Sequence, residues 1–324
     1  MLMVLILALV PARLLIVLSF ACLLCPCACM TGGSVIVAPV YAVVAEAPLP
    51  NACNGDPALC DRRYDEVVYA TTHNAMSASD RGFWNANQQG TLTRQLHDGV
   101  RALMLDTHRF TLHPGDKRPW LCHRFCWLGG QPLVEGLGEI KAFLDTHPRE
   151  VVTVILESHV DAESTRASFA DSGLMHYLHT QDRAQAWPTL RELIGAGQRL
   201  VVFTDREGGK FPWYHDEFAF AFENPYAAWQ DTDFACGVNR GRASNGLFVL
   251  NHFISDPLPD REAAARVNRG APLWAHAVRC ARELGRVPNF VTVDHYDEGD
   301  VMAVVRRLNR RSQLLAGGGV KAGG

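Results

Sequence analysis

No apolar run in this 324-residue chain is long enough to cross a bilayer uninterrupted, which takes about 18 residues or more. Residues 2–10 are apolar, but Pro11 and Arg13 intervene before a second run from Leu14 to Leu24. Charge of one sign is also missing. A formal net charge of −3 argues against nucleic acid as a bulk partner and against a strongly basic membrane-docking face. The pairs Arg306-Arg307 and Arg310-Arg311 read as the solvated side of a terminal helix. Internal repeats and heptads are absent, which excludes solenoids and coiled coils. What remains is ordinary for a soluble protein, with 48% hydrophobic residues and a mean hydropathy of −0.03. A chain of this length can bury one large core, and α/β barrels of this size form one domain.

The first 47 residues read as a targeting segment, not as part of the fold. An Arg-bearing n-region and a short apolar h-region from Leu14 match a secretory signal, with Ala45-Glu46-Ala47 as a small-x-small cleavage site. Retention as an N-terminal anchor, or lipidation at Cys22, are the alternatives. The Ala-, Val- and Pro-rich stretch 38–50 reads as a linker, and the Gly-rich residues 313–324 read as a disordered tail. The expected domain is therefore 48–312, in a secreted or extracytoplasmic location.

Cysteine usage agrees with export. Four of the ten cysteines lie in the leader, leaving Cys53, Cys60, Cys122, Cys126, Cys236 and Cys280, an even number that suits an oxidising compartment. Six cysteines permit 15 connectivities. Proximity favours Cys53 with Cys60 and Cys122 with Cys126, which leaves Cys236 with Cys280. Zinc on Cys122, His123 and Cys126 is the competing reading; it lacks a second close ligand pair at zinc spacing.

Short apolar runs alternate with helical patterns. Expected strands are Val67–Thr71, Ala102–Leu105, Val151–Leu156, Leu200–Thr204, Gly246–Leu250 and Phe290–Val293. Gln89–His97 reads as a short helix. Leu137, Ile140, Phe143 and Leu144 form a helical face that Pro148 stops; Trp274, Val278, Ala281 and Leu284 form another before Gly285; Val301, Val304, Val305 and Leu308 form the last. Strand-helix alternation implies a parallel sheet with helices outside.

Several runs end on chemistry. Val67-Val68-Tyr69-Ala70 leads into Thr71-Thr72-His73-Asn74; Ala102-Leu103-Met104-Leu105 ends on Asp106; Thr153-Val154-Ile155-Leu156 ends on Glu157. The C-terminal strand ends of parallel folds are where catalytic groups collect. A second imidazole, His123, follows Trp120-Leu121-Cys122. Two imidazoles with strand-end Asn, Asp and Glu are the components of an acid/base phosphodiesterase, because His titrates near neutrality and can serve as acid or base. His108, two residues from Asp106, competes for such a role. Trp84 and Trp127 flank the two His loops and read more readily as core residues than as lipid contacts.

These segments, in this order, resemble the X-domain of phosphatidylinositol-specific phospholipases C, particularly the secreted and plant-type branch. The resemblance rests on the Cys53–Cys60 lead-in, Thr72-His73-Asn74-Ala75-Met76-Ser77, Val100-Arg101-Ala102-Leu103-Met104-Leu105-Asp106, Leu121-Cys122-His123, Ile155-Leu156-Glu157 and Pro288-Asn289-Phe290-Val291-Thr292-Val293-Asp294-His295-Tyr296. It covers residues 53–310. It implies a distorted, partly open TIM-type (β/α) barrel. It also implies cleavage of an inositol phospholipid at a membrane surface, through attack of an inositol hydroxyl and a cyclic phosphate, with no obligate protein partner.

By the resemblance, His73 is the general base, His123 the general acid, and Asp294 the carboxylate that orients the base. Arg206 would face the head group, Arg109 would reach the phosphate, and Tyr296 would stack on the inositol ring. Asn74, Asp106 and Glu157 match three oxygen ligands of a calcium ion, with magnesium the alternative and a metal-free site the other. The chain departs from the family in one place, since the usual fourth ligand, a Glu, falls at Met104, and thioether sulfur is a poor calcium ligand. Two other classes compete. A glycerophosphodiesterase or sphingomyelinase D-type hydrolase would want a Glu-x-Asp pair where Met104-Leu105-Asp106 stands, and a non-catalytic surface barrel would not need both His73 and His123.

Overall fold

The computed structural model describes residues 51–113, 118–226, 228–254 and 258–316. The leader, its cleavage site and Cys22 lie outside these residues.

Eleven strands form one sheet: β1 (Tyr69–Thr72), β2 (Ala102–Arg109), β3 (Pro119–Leu121), β4 (Gln131–Pro132), β5 (Val152–Ser158), β6 (Leu200–Thr204), β7 (Tyr214–Asp216), β8 (Ala221–Glu223), β9 (Arg240–Gly241), β10 (Leu247–Asn251) and β11 (Phe290–Val293). The order is β7-β6-β5-β2-β1-β11-β10-β8-β9, and every pair from β7 to β8 is parallel. Among the described residues no ladder joins β7 to β8, so the barrel is open at that seam, as the sequence leads one to expect. Antiparallel β9 extends β8, and the β3–β4 hairpin hangs from the outer end of β2.

Two-residue alternation along each strand creates two cores. Leu103 and Leu105 of β2, Val152, Val154 and Leu156 of β5, Phe248 and Leu250 of β10, and Val291 and Val293 of β11 face outward. They pack against helices α1 (Leu92–His97), α2 (Leu133–Thr146), α3 (Ala162–Asp171), α7 (Gly270–Leu284) and α8 (Val301–Ala316). Ala102, Ile155, Val201, Phe203, Val249 and Phe290 face inward. The lead-in plugs the barrel floor with Tyr64, whose ring meets Trp187 at 4.5 Å and whose hydroxyl lies 2.6 Å from Thr153 Oγ1. With aromatic residues filling the floor, the polar inward positions fall at the other end, at the strand C-termini.

Differences from expectation have local causes. Strand β1 starts at Tyr69 because the Val68 N–H donates to the Asn309 side chain at 2.8 Å. Strand β2 continues to Arg109 because its outer half pairs with β3. Helix α1 starts after Thr91, whose hydroxyl caps Arg94 N. The polar helix α3, the six-residue α4 (Leu190–Gly195), the short strands β7 and β8, α5 (Glu217–Phe220) and α6 (Arg261–Val267) carry too little periodicity to show in the sequence. Helix α8 runs to Ala316, past residue 312 where the barrel was expected to end. Residues 317–324 lie outside the described part. No helix among the described residues is long and apolar enough to cross a membrane.

The disulfides are Cys53–Cys60, Cys122–Cys126 and Cys236–Cys280. The second removes the thiolates that zinc would need. The third ties the segment after β8 to α7 across 44 residues of chain. Closing a loop of that length restricts the unfolded ensemble, so a C236A/C280A double variant should lose about 2–4 kcal/mol of unfolding free energy. The denaturation midpoint measures this; a midpoint equal to the parent's would mean that the bridge does not form.

Candidate active site

Where β1 ends, the chain turns sharply. His73 N donates to Val293 O at 3.0 Å and Ala75 N to Met104 O at 2.8 Å, while Asn74 takes a left-handed φ of 45°. Gln88 Nε2 clamps the turn by donating to His73 O at 2.7 Å and Val293 O at 3.2 Å. The result places the His73 ring in a cleft of about 920 Å³ at the C-terminal end of the barrel, shared with Asn74, Asp106, His123, Glu157, Arg206 and Asp294.

His73 is held on two sides. Its Nδ1 meets Asp294 Oδ1 at 3.0 Å, and the ring stacks on Phe253 at 3.9 Å with 7° between planes. Asp294 is buried and also accepts a hydrogen bond from Asn87 Nδ2 at 3.0 Å. A carboxylate at Nδ1 selects the tautomer that leaves Nε2 free to exchange a proton. Burial opposes the charged imidazolium, but the Asp294 carboxylate, with Asp106 and Glu157 beyond it, raises the His73 pKa above the ordinary histidine value.

His123 sits half-buried in the loop that Cys122–Cys126 closes. Burial, followed by the nearby charges of His73 and Arg124, lowers its pKa to about 4. The site therefore holds one imidazole biased toward charge and one biased against it. His108 also lines the cleft, with its ring stacked on His159 at 4.3 Å. His159 in turn contacts Glu157 at 3.1 Å.

Asp106 and Glu157 are register partners on β2 and β5 and point inward together. Asp106 is buried, and burial followed by Glu157 pushes its carboxyl well above the usual range. The Asn74 amide lies 3.1 and 3.2 Å from the two Asp106 oxygens; with its NH₂ toward them, its oxygen accepts from His73 Nε2 at 3.3 Å. Turned by half a rotation, the same amide presents its oxygen beside Asp106. Two adjacent carboxylates and an amide oxygen form a hard donor set of the kind a divalent cation takes. Met104, two residues before Asp106 on the inward face, lines the cleft and supplies no oxygen.

Two expected substrate contacts lie elsewhere. Arg109 is three positions from Asp106, so alternation turns it to the opposite face of β2, where it pairs with Asp161 and Ser164 at the start of α3. Tyr296 follows a left-handed residue, His295 (φ 44°), which sends its ring away from the cleft; its hydroxyl donates to Asp98 Oδ2 at 2.7 Å. Arg206 lines the cleft as expected, with a largely exposed side chain near Asp205. Trp84 and Trp127, read as core, are 61% and 71% exposed, and Trp84 lines the mouth beside the exposed Phe125 and Leu258.

Other cleft residues went unnoticed in the sequence. Glu223 and Asn251 end the apolar runs of β8 and β10, the same signal that singled out Asp106. Glu217 on α5 and Arg240 on β9 join them. Asn87 and Gln88 carried no signal, because only the folded turn brings them under His73. The dyad has a direct test: Asp294→Asn removes the carboxylate but leaves burial, so the His73 titration followed by NMR should fall from above 6.5 to below it. An unmoved titration would mean that Asp294 does not govern His73.

The PI-PLC X 1 family profile matches residues 59–309. The chain is 32% identical over 294 residues to "PI-PLC X domain-containing protein 1" of Arthroderma benhamiae, covering 83% of this chain and 94% of that protein. It is 30% identical over 285 residues to "PI-PLC X domain-containing protein At5g67130" of Arabidopsis thaliana, covering 76% and 62%. It is also 28% identical to an "Uncharacterized secreted protein" of Arthroderma benhamiae, covering 79% and 64%. The chain thus spans under two thirds of the length of the latter two. Among solved structures, a double mutant of the phosphatidylinositol-specific phospholipase C of Staphylococcus aureus aligns with a TM-score of 0.52 at 15% identity, covering 76% of this chain and 92% of that one. A pentafluoro-Phe form of the same enzyme gives 0.51 at 14%, covering 75% and 92%. Fold, ordered motifs and family profile agree, and the chain belongs to the PI-PLC X-domain family.

Proposed function

We propose that the protein is a phospholipase C-type phosphodiesterase that cleaves an inositol phospholipid at a membrane surface outside the cytoplasm. The observation that carries this reading is the Asp294–His73 dyad opening into a cleft that also holds His123. His73 Nε2 takes the proton of a ring hydroxyl; that oxygen bonds to phosphorus; the bond to the lipid alkoxide breaks; His123 returns a proton to the leaving oxygen. The products are a cyclic phosphate and diacylglycerol. The Asp294 carboxylate supports the charge that His73 acquires. Exposed Trp84, Phe125, Trp127 and Leu258 suit the polar–apolar boundary of a lipid surface, and three disulfides suit an oxidising compartment.

A divalent cation, calcium before magnesium, would be held by Asn74, Asp106 and Glu157 and would supply charge neutralisation at the phosphorane. With only three protein oxygens its affinity should be weak. A chelator should slow turnover, excess calcium should restore it, and Met104→Glu should tighten calcium binding. If chelation changes nothing and Met104→Glu gains no affinity, the site works without metal and Arg206 becomes the stabilising cation; Arg109, bound to Asp161, is no candidate.

The two pKa directions set the pH profile. The reactive form has neutral His73 and charged His123, the reverse of the resting bias, so it is a minor state carrying the same total number of protons. Acid below about pH 4 charges both rings, and alkali above the raised His73 value neutralises both. The profile of kcat/KM should be bell-shaped, with the acid limb belonging to His123 and the alkaline limb to His73. Asp294→Asn should move the alkaline limb to lower pH. His73→Ala and His123→Ala should each lower kcat by about a hundredfold or more. Near-parental activity in either alanine variant would show that ring to be structural. A linear phosphomonoester in place of the cyclic product would point to another lipid phosphodiesterase, and no turnover at all to a binding barrel.

A further inference from the structure

On the helix side of the sheet, the third disulfide has a neighbour that the lipid chemistry does not use. Cys280 follows His276 by four residues on α7, so the two share one face of that helix. The segment after β8 brings Cys236 up to them. The two sulfurs and a ring nitrogen of His276 all lie within 4.8 Å of one another. Cys236, His276 and Cys280 are 4%, 4% and 0% exposed.

A chain of hydrogen bonds decides which His276 nitrogen is free. His252, just past β10 and fully buried, has its Nε2 3.0 Å from Val267 O and its Nδ1 2.8 Å from His276 Nδ1. A carbonyl only accepts, so a neutral His252 carries its proton on Nε2 and offers a lone pair at Nδ1. The hydrogen between the two imidazoles then belongs to His276 Nδ1. His276 Nε2 is left as a bare lone pair, buried and without a hydrogen-bond partner among the described residues. Phe234 stacks on both rings, at 4.3 and 5.1 Å, and restricts them. Tying one imidazole nitrogen by a hydrogen bond while the other stays free is how proteins prepare a histidine for a metal ion.

We propose that Cys236, His276 and Cys280 form a zinc site that replaces the third disulfide when that bond is reduced. In the oxidised chain the sulfurs are bonded to each other and the donor set is incomplete. A thiol reductant supplies two electrons and two protons: the Cys236–Cys280 bond breaks, two thiols form, and the reductant leaves as its own disulfide. A zinc ion then takes both thiolate sulfurs and the His276 Nε2 lone pair, two protons are released, and water completes a four-coordinate shell. Thiolates with an imidazole select zinc over calcium or magnesium. The segment after β8 thus stays tied to α7 in either redox state. None of these residues lines the catalytic cleft.

The test uses the full exported protein, reduced under anaerobic conditions with a water-soluble phosphine, which is oxidised to its oxide with oxygen from water. Cobalt(II) serves as the coloured stand-in for zinc. The reduced protein should take up one equivalent, with a thiolate-to-cobalt charge-transfer band in the near ultraviolet and the visible bands of a tetrahedral ion. Zinc should displace the cobalt and raise the denaturation midpoint of the reduced protein; the oxidised protein should show neither band. Cys236→Ser/Cys280→Ser should lose the bands, whereas Cys122→Ser/Cys126→Ser, which removes another pair of thiols freed by reduction, should keep them. His276→Ala should weaken cobalt binding at least tenfold. His252→Ala, which leaves the three ligands but not the hydrogen bond behind them, should weaken it by about 10–100-fold. Absence of the thiolate band from the reduced protein, its survival in Cys236→Ser/Cys280→Ser, or parental affinity in His276→Ala overturns the proposal. So does a reduced protein that circular dichroism shows to be unfolded and that zinc does not refold.

Discussion

Two-residue alternation along the parallel strands is the constraint from which the rest of the molecule follows. It sends Leu103, Leu105, Val154 and Leu156 to the helices and Ala102, Met104, Asp106, Ile155 and Glu157 into the barrel. Because Tyr64 of the lead-in, Trp187 and Phe290 fill the floor, polar inward side chains are tolerable only at the strand C-termini, where solvent and substrate can reach them. The same alternation removes Arg109 from the site while keeping His108 in it.

Acidic side chains dominate the resulting cleft. Asp106, Glu157, Asp205, Glu217, Glu223 and Asp294 all line it, and their mutual repulsion in a poorly solvated space accounts for most of its chemistry. Attraction to these carboxylates raises the His73 pKa and biases the ring toward its charged form, which it must leave before it can act as base. Burial and the neighbouring acids push the carboxyls of Asp106 and Glu217 above the usual carboxylate range. His123, outside the reach of Asp294 hydrogen bonding and next to Arg124, feels burial more than these acids and moves the other way. A chain with almost no net charge thus concentrates one sign of charge where its proposed reaction occurs.

Loops supply what strands cannot. The β3–β4 hairpin carries His123, and the Cys122–Cys126 bridge closes its loop. The segment through Asn87 and Gln88 reaches under the His73 turn and fixes both Asp294 and the backbone of β11. The exposed Trp84, Phe125 and Trp127 belong to the same loops.

The sequence alone determined the strand cores, the parallel architecture, the favoured pairing of Cys53 with Cys60 and Cys122 with Cys126 by proximity, and the strand-end residues His73, Asn74, Asp106 and Glu157. Each of these is written in local periodicity or in near neighbours along the chain. Tertiary structure decided what depends on the direction a side chain takes after a turn. Left-handed His295 sends Tyr296 to Asp98, the extended β2 puts Arg109 against Asp161, and the loops that carry Trp84 and Trp127 leave both exposed. Glu217, from a four-residue helix at the open seam, could not have been found by pattern, because its meaning lies in the burial and the neighbouring Glu223 that only folding brings to it.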